Sequence, residues 1–458
     1  MEPASKKLPF KVKAGFGICD LGGNLFFTVI AFWLLNYLTD TVGMAAGMAG
    51  IVIGIGKIWD AVTDPVVGYM SDRTRTKWGR RRPYLFAGSF PLFVAMIVMF
   101  TNPKFESPTS LFIWAVVSFC FLCTAYTLVN IPYSAMTPEL TTDFNERTTL
   151  NGYRFGCAIV GTLLGAGATL PIITAFPNRN MGFTAVGAIF GGLMMITALI
   201  TVFTVREPEQ PRPKPEDGFF KTYFSVFKNK PYVLILLTYA FNVMGITVVS
   251  GIMVYYFKYI YNDEPKTTLA LLILLVVAML SIPVSVVVAK RTGKKAVYVF
   301  GMLMVAASAM TVFLFGHTWP MTYTFVTMIF AGIGLGATMA LPYAMVCDTI
   351  ECDYLETGER REGAFYGIWT FVLKIGQAMA IGITSLILSI TGYVPDVAQT
   401  PAAQFGIRLI FGPISASLFI VAVVILLFYP LNEQRYNKVL DEIRLMEARR
   451  EAEGAPIL

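Results

Sequence analysis

Only one histidine, His317, stands in a chain of 458 residues. Its isolation excludes bis-histidine haem ligation and gives no basis for a histidine metal site. Charge is scarce as well. Asp, Glu, Lys and Arg make up 14% of the residues, where a soluble domain carries about a quarter. No polar connector is long enough to hold a soluble domain. The six cysteines, Cys19, Cys120, Cys123, Cys157, Cys347 and Cys352, all fall in or at the ends of apolar stretches. Cys120 and Cys123 share one such stretch without further Cys or His partners, so packing accounts for them better than metal or redox chemistry. No nucleophile triad or cofactor motif is present, so the chain is not expected to be an enzyme, and no cofactor is expected. The first apolar run also lacks a cleavage-like site before its end, so it reads as a retained span.

What the chain does have is hydrophobic length. Hydrophobic residues make up 55% of it, which marks an integral, multi-pass membrane protein in contact with lipid. Twelve spans are expected near 14–39, 43–70, 84–101, 110–136, 150–174, 183–204, 231–257, 267–289, 296–315, 320–346, 364–389 and 404–430. The fold class is therefore all-α. Lysine and arginine counting sets the orientation. With both termini cytoplasmic, the outer segments hold only Lys104, Arg179, Lys258 and Lys266. The net charge of +7 belongs to the inner loops, so no nucleic-acid partner is implied.

The densest chemistry lies on the second span, in Lys57-Ile-Trp-Asp60-Ala-Val-Thr-Asp64-Pro65. Asp60 and Asp64 stand four residues apart, so both carboxylates share a helix face, and Lys57 precedes Asp60 by about a turn. Charges at this depth are costly and usually mark an ion path or relay. Lys57 alone would neutralise Asp60 and leave Asp64 unpaired. A pair of carboxylates suits a hard monovalent cation, with Na+ possible at Asp60 and Asp64.

Other spans carry polar residues on single faces. Asp20 and Asn24 on the first span read as ligand contacts in a water-filled cavity, with Asp20 unpaired. Tyr126, Asn130 and Tyr133 project from one face of the fourth. Arg154 opens the fifth, where it either snorkels to the cytoplasm or pairs with Asp20 and a polar substrate. Tyr366, Thr370, Lys374 and Gln377 form a polar stripe along the eleventh, which is expected to face the cavity.

Gly68, Asp72 and Arg73, followed by Gly79-Arg80-Arg81-Arg82, form a turn that resembles the signature between helices two and three of the major facilitator superfamily. Such a charge cluster can latch one conformation, and Asp348, Glu351, Arg360 and Arg361 are expected to interlock with it. Gly79-Arg80-Arg81-Arg82-Pro83-Tyr84-Leu85-Phe86 recurs as Gly293-Lys294-Lys295-Ala296-Val297-Tyr298-Val299-Phe300, 214 residues later. This echo implies two six-helix halves. The expected organisation is 1–204 for the first half, 205–230 for a cytoplasmic linker, 231–430 for the second half and 431–458 for a charged, helical tail.

Taken together, Trp59-Asp60, Asp64-Pro65, Asp20, Tyr126-Thr127, Ile131-Pro132, Tyr153-Arg154-Phe155 and Lys374-Ile-Gly376 resemble the glycoside–pentoside–hexuronide:cation symporters, typified by melibiose permease. The resemblance implies cation-coupled symport of a sugar or glycoside by alternating access. It implies a plasma-membrane protein, most simply of the bacterial inner membrane, working as a monomer. It places the cation at Asp60, Asp64 and Thr127, with Thr63 beside them, and leaves Na+, Li+ or H+ open. It places sugar contacts at Asp20, Tyr126, Arg154 and Lys374. Asn130 replaces a second sugar-binding aspartate. Ser134 and Met339 stand where aromatic residues wall a galactoside site, which argues against a galactoside. The animal lysophospholipid carriers resemble the same family, so an amphiphile is the alternative substrate.

Overall fold

The computed structural model describes residues 8–140, 144–207, 226–357, 362–431 and 433–452. Among these, twelve helices are long and apolar enough to cross a membrane. They are α1 (Phe10–Thr41), α2 (Ala46–Ser71), α3 (Arg82–Met99), α4 (Pro108–Thr137), α5 (Thr149–Thr174), α6 (Arg179–Thr204), α7 (Lys230–Tyr259), α8 (Lys266–Thr292), α9 (Lys294–Phe315), α10 (Met321–Thr357), α11 (Phe365–Ile390) and α12 (Pro401–Leu427). A polar helix, α13 (Glu433–Ala452), follows them. Apart from one bridge between Thr76 and Gly79, the described residues form helices and their connectors. Each expected span coincides with one of these helices, because a backbone in hydrocarbon must satisfy its own hydrogen bonds.

α10 is longer than its apolar stretch. It runs on through Asp348, Glu351 and Asp353 to Thr357. Asp348 is held there by Lys294 at 2.6 Å, so a charge that hydropathy reads as an end is accommodated within the helix. We call the end of the molecule where α1 begins the near end, and the end where α1 finishes the far end.

The chain divides into two compact units. The first comprises Met1–Lys214, Ser250–Leu272 and Ile381–Ile407; the second comprises Pro215–Val249, Ile273–Ala380 and Arg408–Leu458. In the first, α1 packs on α5 and α6, α2 packs on α4, and α3 packs on α4 and α6. In the second, α9 packs on α10 and α12. The third span of each half thus meets the fourth and sixth of its own half, as the sequence echo expects. Small residues permit these approaches. A methyl group at Gly161 would lie 2.1 Å from the Leu21 carbonyl oxygen of α1.

The echoed turns share a backbone as well as a sequence. Gly79 has φ +102° and Gly293 φ +88°, a region that side chains disfavour. Each glycine reverses the chain just before a third helix. In the first half the start of α3 is an anion cradle. The backbone N–H groups of Arg80, Arg81 and Arg82 donate to the Glu207 carboxylate at 2.8, 2.9 and 2.6 Å. That arrangement satisfies the free donors of a helix start and opposes its dipole.

Candidate functional site

The first unit assembles two polar clusters and an aromatic corner from α1, α2, α4 and α5. On α2, Asp60 and Asp64 turn to α4, where the Thr127 hydroxyl lies 3.0 Å from an oxygen of each carboxylate. Asp60 and Thr127 are buried. A hydroxyl carries one hydrogen, so it can donate to only one carboxylate at a time. Two carboxylates with a hydroxyl between them offer oxygens of the kind that a proton or a small hard cation takes. Pro65 adds to the oxygen supply, because a proline inside a helix leaves the carbonyl four residues earlier, at Ala61, without its usual donor. Thr63 turns elsewhere: its hydroxyl donates to the Asp60 backbone carbonyl at 3.2 Å. The Trp59 indole donates to Thr124 at 2.8 Å and ties α2 to α4 beside the pair.

The second cluster gathers around Asp20. Arg154 of α5 approaches it at 2.6 Å through Nε, and the Tyr133 hydroxyl donates to it at 2.7 Å. Arg154 also donates to Thr137 at 2.7 Å, and its guanidinium lies 4.9 Å from the centre of the Tyr133 ring. The sequence reading of Asp20 as unpaired is therefore corrected. Its charge is matched by Arg154, which bonds inward and does not snorkel. Asn24, expected to share a face with Asp20, donates to the Asp20 backbone carbonyl at 2.9 Å.

Tyr126 stands between the clusters, within electrostatic reach of Asp20, Asp60 and Asp64. Its ring stacks on Phe26 at 4.1 Å and meets Phe27 edge-on at 5.4 Å. Its buried hydroxyl has no hydrogen-bond partner among the described residues. Gly22, Gly23, Asn130 and Tyr133 line a cleft with it. A methyl at Gly23 would come within 3.3 Å of that hydroxyl.

In the second unit, the α11 stripe is graded. Tyr366 and Thr370 are exposed, Lys374 is buried and Gln377 is half-buried. The Tyr366 hydroxyl meets the Cys347 sulfur at 3.2 Å, and Thr370 donates to the Tyr366 carbonyl at 3.0 Å. Beside the stripe, Tyr239 stacks on Trp369 at 4.1 Å. The Asn242 amide is 1% exposed, with neither polar atom paired among the described residues.

The residues of the expected latch form local contacts. Arg73 stacks on Tyr69 at 3.5 Å, and Arg81 donates to Ser71 at 2.9 Å. A methyl at Gly68 would meet Ile131 at 3.7 Å, an ordinary contact. Asp348 pairs with Lys294 of its own unit, and Glu351 is half-buried on α10. The Asp72 side chain, Arg360 and Arg361 lie outside the described residues.

Sequence reasoning missed a far-end network in the first unit. α1 ends in a π-helical turn, Tyr37–Thr41, that carries Asp40. The Asp40 side chain has no exposure, and Lys258 lies 2.5 Å from it. Tyr259 donates to it at 2.6 Å, and Tyr393 donates to it as well. Burial, then the neighbouring Tyr255 and Asp40, push the Tyr393 phenol far above its ordinary range, so it remains a donor. Close by, Arg179 grips Glu264 at 2.7 Å and Asn36 at 2.7 Å. The network joins α1 and α6 to the end of α7 and to the segment after α11. In the sequence Lys258 and Arg179 read only as loop charges, since nothing there links Asp40 to a lysine 218 positions away.

A sequence profile of the family described as "MFS/sugar transport protein" matches residues 15–433. The chain is 29% identical to a candidate sulfoquinovose importer of Salmonella typhimurium, covering 96% of this chain and 94% of the relative. It is 28% identical to a glucuronide carrier protein homologue of Escherichia coli, covering 96% of each. Its fold is that of a bacterial homologue of the human lysosomal transporter Spinster, solved inward-facing and unoccupied, with TM-score 0.68, 15% identity and coverage of 93% and 98%.

Proposed function

Since the chain belongs to the MFS/sugar transport protein family, we propose that it is a secondary transporter that couples the movement of a sugar or glycoside to a monovalent cation. The observation that carries the reading is the Thr127 hydroxyl set between Asp60 and Asp64. Na+, Li+ or H+ each suit two carboxylates with a hydroxyl between them. Asn130 and the unpaired Tyr126 hydroxyl offer hydrogen bonds to substrate hydroxyls, and Arg154 with Asp20 forms the wall beside them. Lys374, Tyr366, Thr370 and Gln377 are further candidate contacts from the second unit. The two relatives are named for sugars that carry an acid group, which favours a sugar over an amphiphile.

The far-end network fits the closed end of an alternating-access cycle. The near-end turns, with Gly79 and Glu207 in one half and Gly293 and Lys294 in the other, are proposed to hold the cytoplasmic rim. The two sequence halves, 1–204 and 231–430, would be the moving parts, in a bacterial inner membrane with both termini cytoplasmic.

The test is uptake into proteoliposomes, with Na+, Li+ and proton gradients imposed separately. One gradient should drive accumulation of a sugar, and Asp64→Asn should abolish it while equilibrium exchange of sugar persists in weaker form. Full accumulation by Asp64→Asn sinks the assignment.

A further inference from the structure

Among the described residues, Lys57 of the first unit has no ion-pair partner. Lys57 sits on α2 a turn before Asp60 and is 5% exposed. Among the described residues its ammonium makes neither a hydrogen bond nor an ion pair; it lies over the Phe27 ring, 5.9 Å from the centroid. The carboxylates further along the helix turn to Thr127 on α4, whereas the ammonium turns to α1. Opposite charges on one helix thus serve different neighbours, and the simple reading that Lys57 neutralises Asp60 by contact does not hold.

An ammonium at the end of a largely buried side chain, faced by an aromatic ring, recovers only part of its lost hydration. A hydrogen-bonded anion recovers far more. Among the described residues no acid pairs with Lys57. Asp20 is engaged by Arg154 and Tyr133, and Asp60 and Asp64 turn to Thr127. Phe27, under the ammonium, stands edge-on to Tyr126, whose hydroxyl is also unpaired among the described residues. Ammonium, ring and hydroxyl frame one corner, and both of its polar groups can donate. Neutral sugar hydroxyls can be satisfied by Asn130 and Tyr126; a largely buried ammonium gains most from a ligand that brings a negative charge.

We propose that Lys57 is a specificity-determining residue that binds a carboxylate or sulfonate on the transported sugar, with the Tyr126 hydroxyl donating to the same ligand. The proposal rests on the sugar-transport reading and narrows it to acidic sugars. An oxyanion accepts from the ammonium without proton transfer, so the preference follows the substrate's charge.

The experiment measures binding of three probes to the purified full-length protein by calorimetry: methyl glucoside, methyl glucuronide and the methyl glycoside of sulfoquinovose. At least one acidic probe should bind tenfold or more tightly than the neutral one, and the stronger acid distinguishes carboxylate from sulfonate. Lys57→Gln should erase that preference, and Lys57→Arg should keep it. Independently of any variant, the preferred acid should protect Lys57 from amine-reactive labelling in the wild-type protein, read by mass spectrometry, while methyl glucoside should not. Equal or tighter binding of methyl glucoside overturns the proposal and leaves sugar transport standing. So does an acid preference that persists in Lys57→Gln, or labelling of Lys57 that the acid does not slow. Absence of binding by all three probes overturns the sugar-transport reading and this proposal with it.

Discussion

Thr127 shows how much one hydroxyl can decide. It touches both acids of α2 at 3.0 Å, so Thr127→Val removes a neutral oxygen from the cation's surroundings and leaves the acids facing a methyl. Losing a hydrogen bond to a charged group costs about 1.5–3 kcal/mol, so the coupling cation's apparent affinity should fall roughly tenfold to a hundredfold. Thr127→Ser should stay near wild type. Cation titration of sugar binding reads both, and an unchanged midpoint in Thr127→Val removes the hydroxyl from the site. Arg154 poses a different question. Its ion pair with Asp20 is 21% and 16% exposed, so water softens the loss of one partner. Arg154→Gln should destabilise the protein by about 3 kcal/mol, the low end for a buried pair. Asp20→Asn combined with Arg154→Gln should recover part of that loss, since the stranded carboxylate is gone. Thermal unfolding in detergent compares the two. A double variant no more stable than Arg154→Gln alone shows that the pair is not coupled.

At the scale of elements, the far-end network and the α3 start are both built from carboxylates that collect donors. Asp40 is enclosed by Lys258, Tyr259 and Tyr393. Lys258→Met removes the ammonium paired with that buried carboxylate, which favours any state in which the far end opens and wets it. A single cysteine placed at the far end should therefore react faster with a membrane-impermeant thiol reagent in Lys258→Met. Adding Asp40→Asn should slow it again. An unchanged labelling rate in Lys258→Met shows that the network does not hold the end shut. At the other end, Glu207 accepts from three successive backbone N–H groups before α3. Glu207→Gln keeps the shape but offers one acceptor oxygen and no charge, so a loss of about 1–2 kcal/mol is expected. Urea or thermal unfolding checks it, and a wild-type midpoint contradicts the cradle's role.

At the scale of the whole molecule, twelve membrane-length helices among the described residues are an even number, which predicts both chain ends on one side of the membrane. The lysine and arginine excess predicts that this side is the cytoplasm. Reporter fusions at the start of the chain and after α13 should both report a cytoplasmic location; one fusion outside breaks the even count. The helices were legible because hydropathy, length and the echo at Gly79 and Gly293 are local properties of the chain. The polar face of α2 was legible for the same reason: Asp60 and Asp64 are four residues apart, and helical geometry alone puts them together. The sequence also pointed to Tyr126 and Arg154 through a resemblance. The resemblance also grouped Thr127 with the two acids, and one reading of Arg154 paired it with Asp20; the sequence could not choose between the readings of Arg154, nor say that Thr63 would bond its own helix.

Sequence by itself determined the number and length of the spans, the turn glycines and the carboxylate pair, because hydrophobic burial in lipid and helical periodicity act over a few consecutive residues. Only the tertiary structure decided which charges are matched. Asp20 found Arg154, and Asp40 found Lys258, across separations of 134 and 218 positions, while Lys57, a turn from Asp60, was turned away toward Phe27. The reason is that an ion pair depends on distances of a few ångströms between side chains. Those distances are fixed by which helices pack together, and no local pattern in the chain records them.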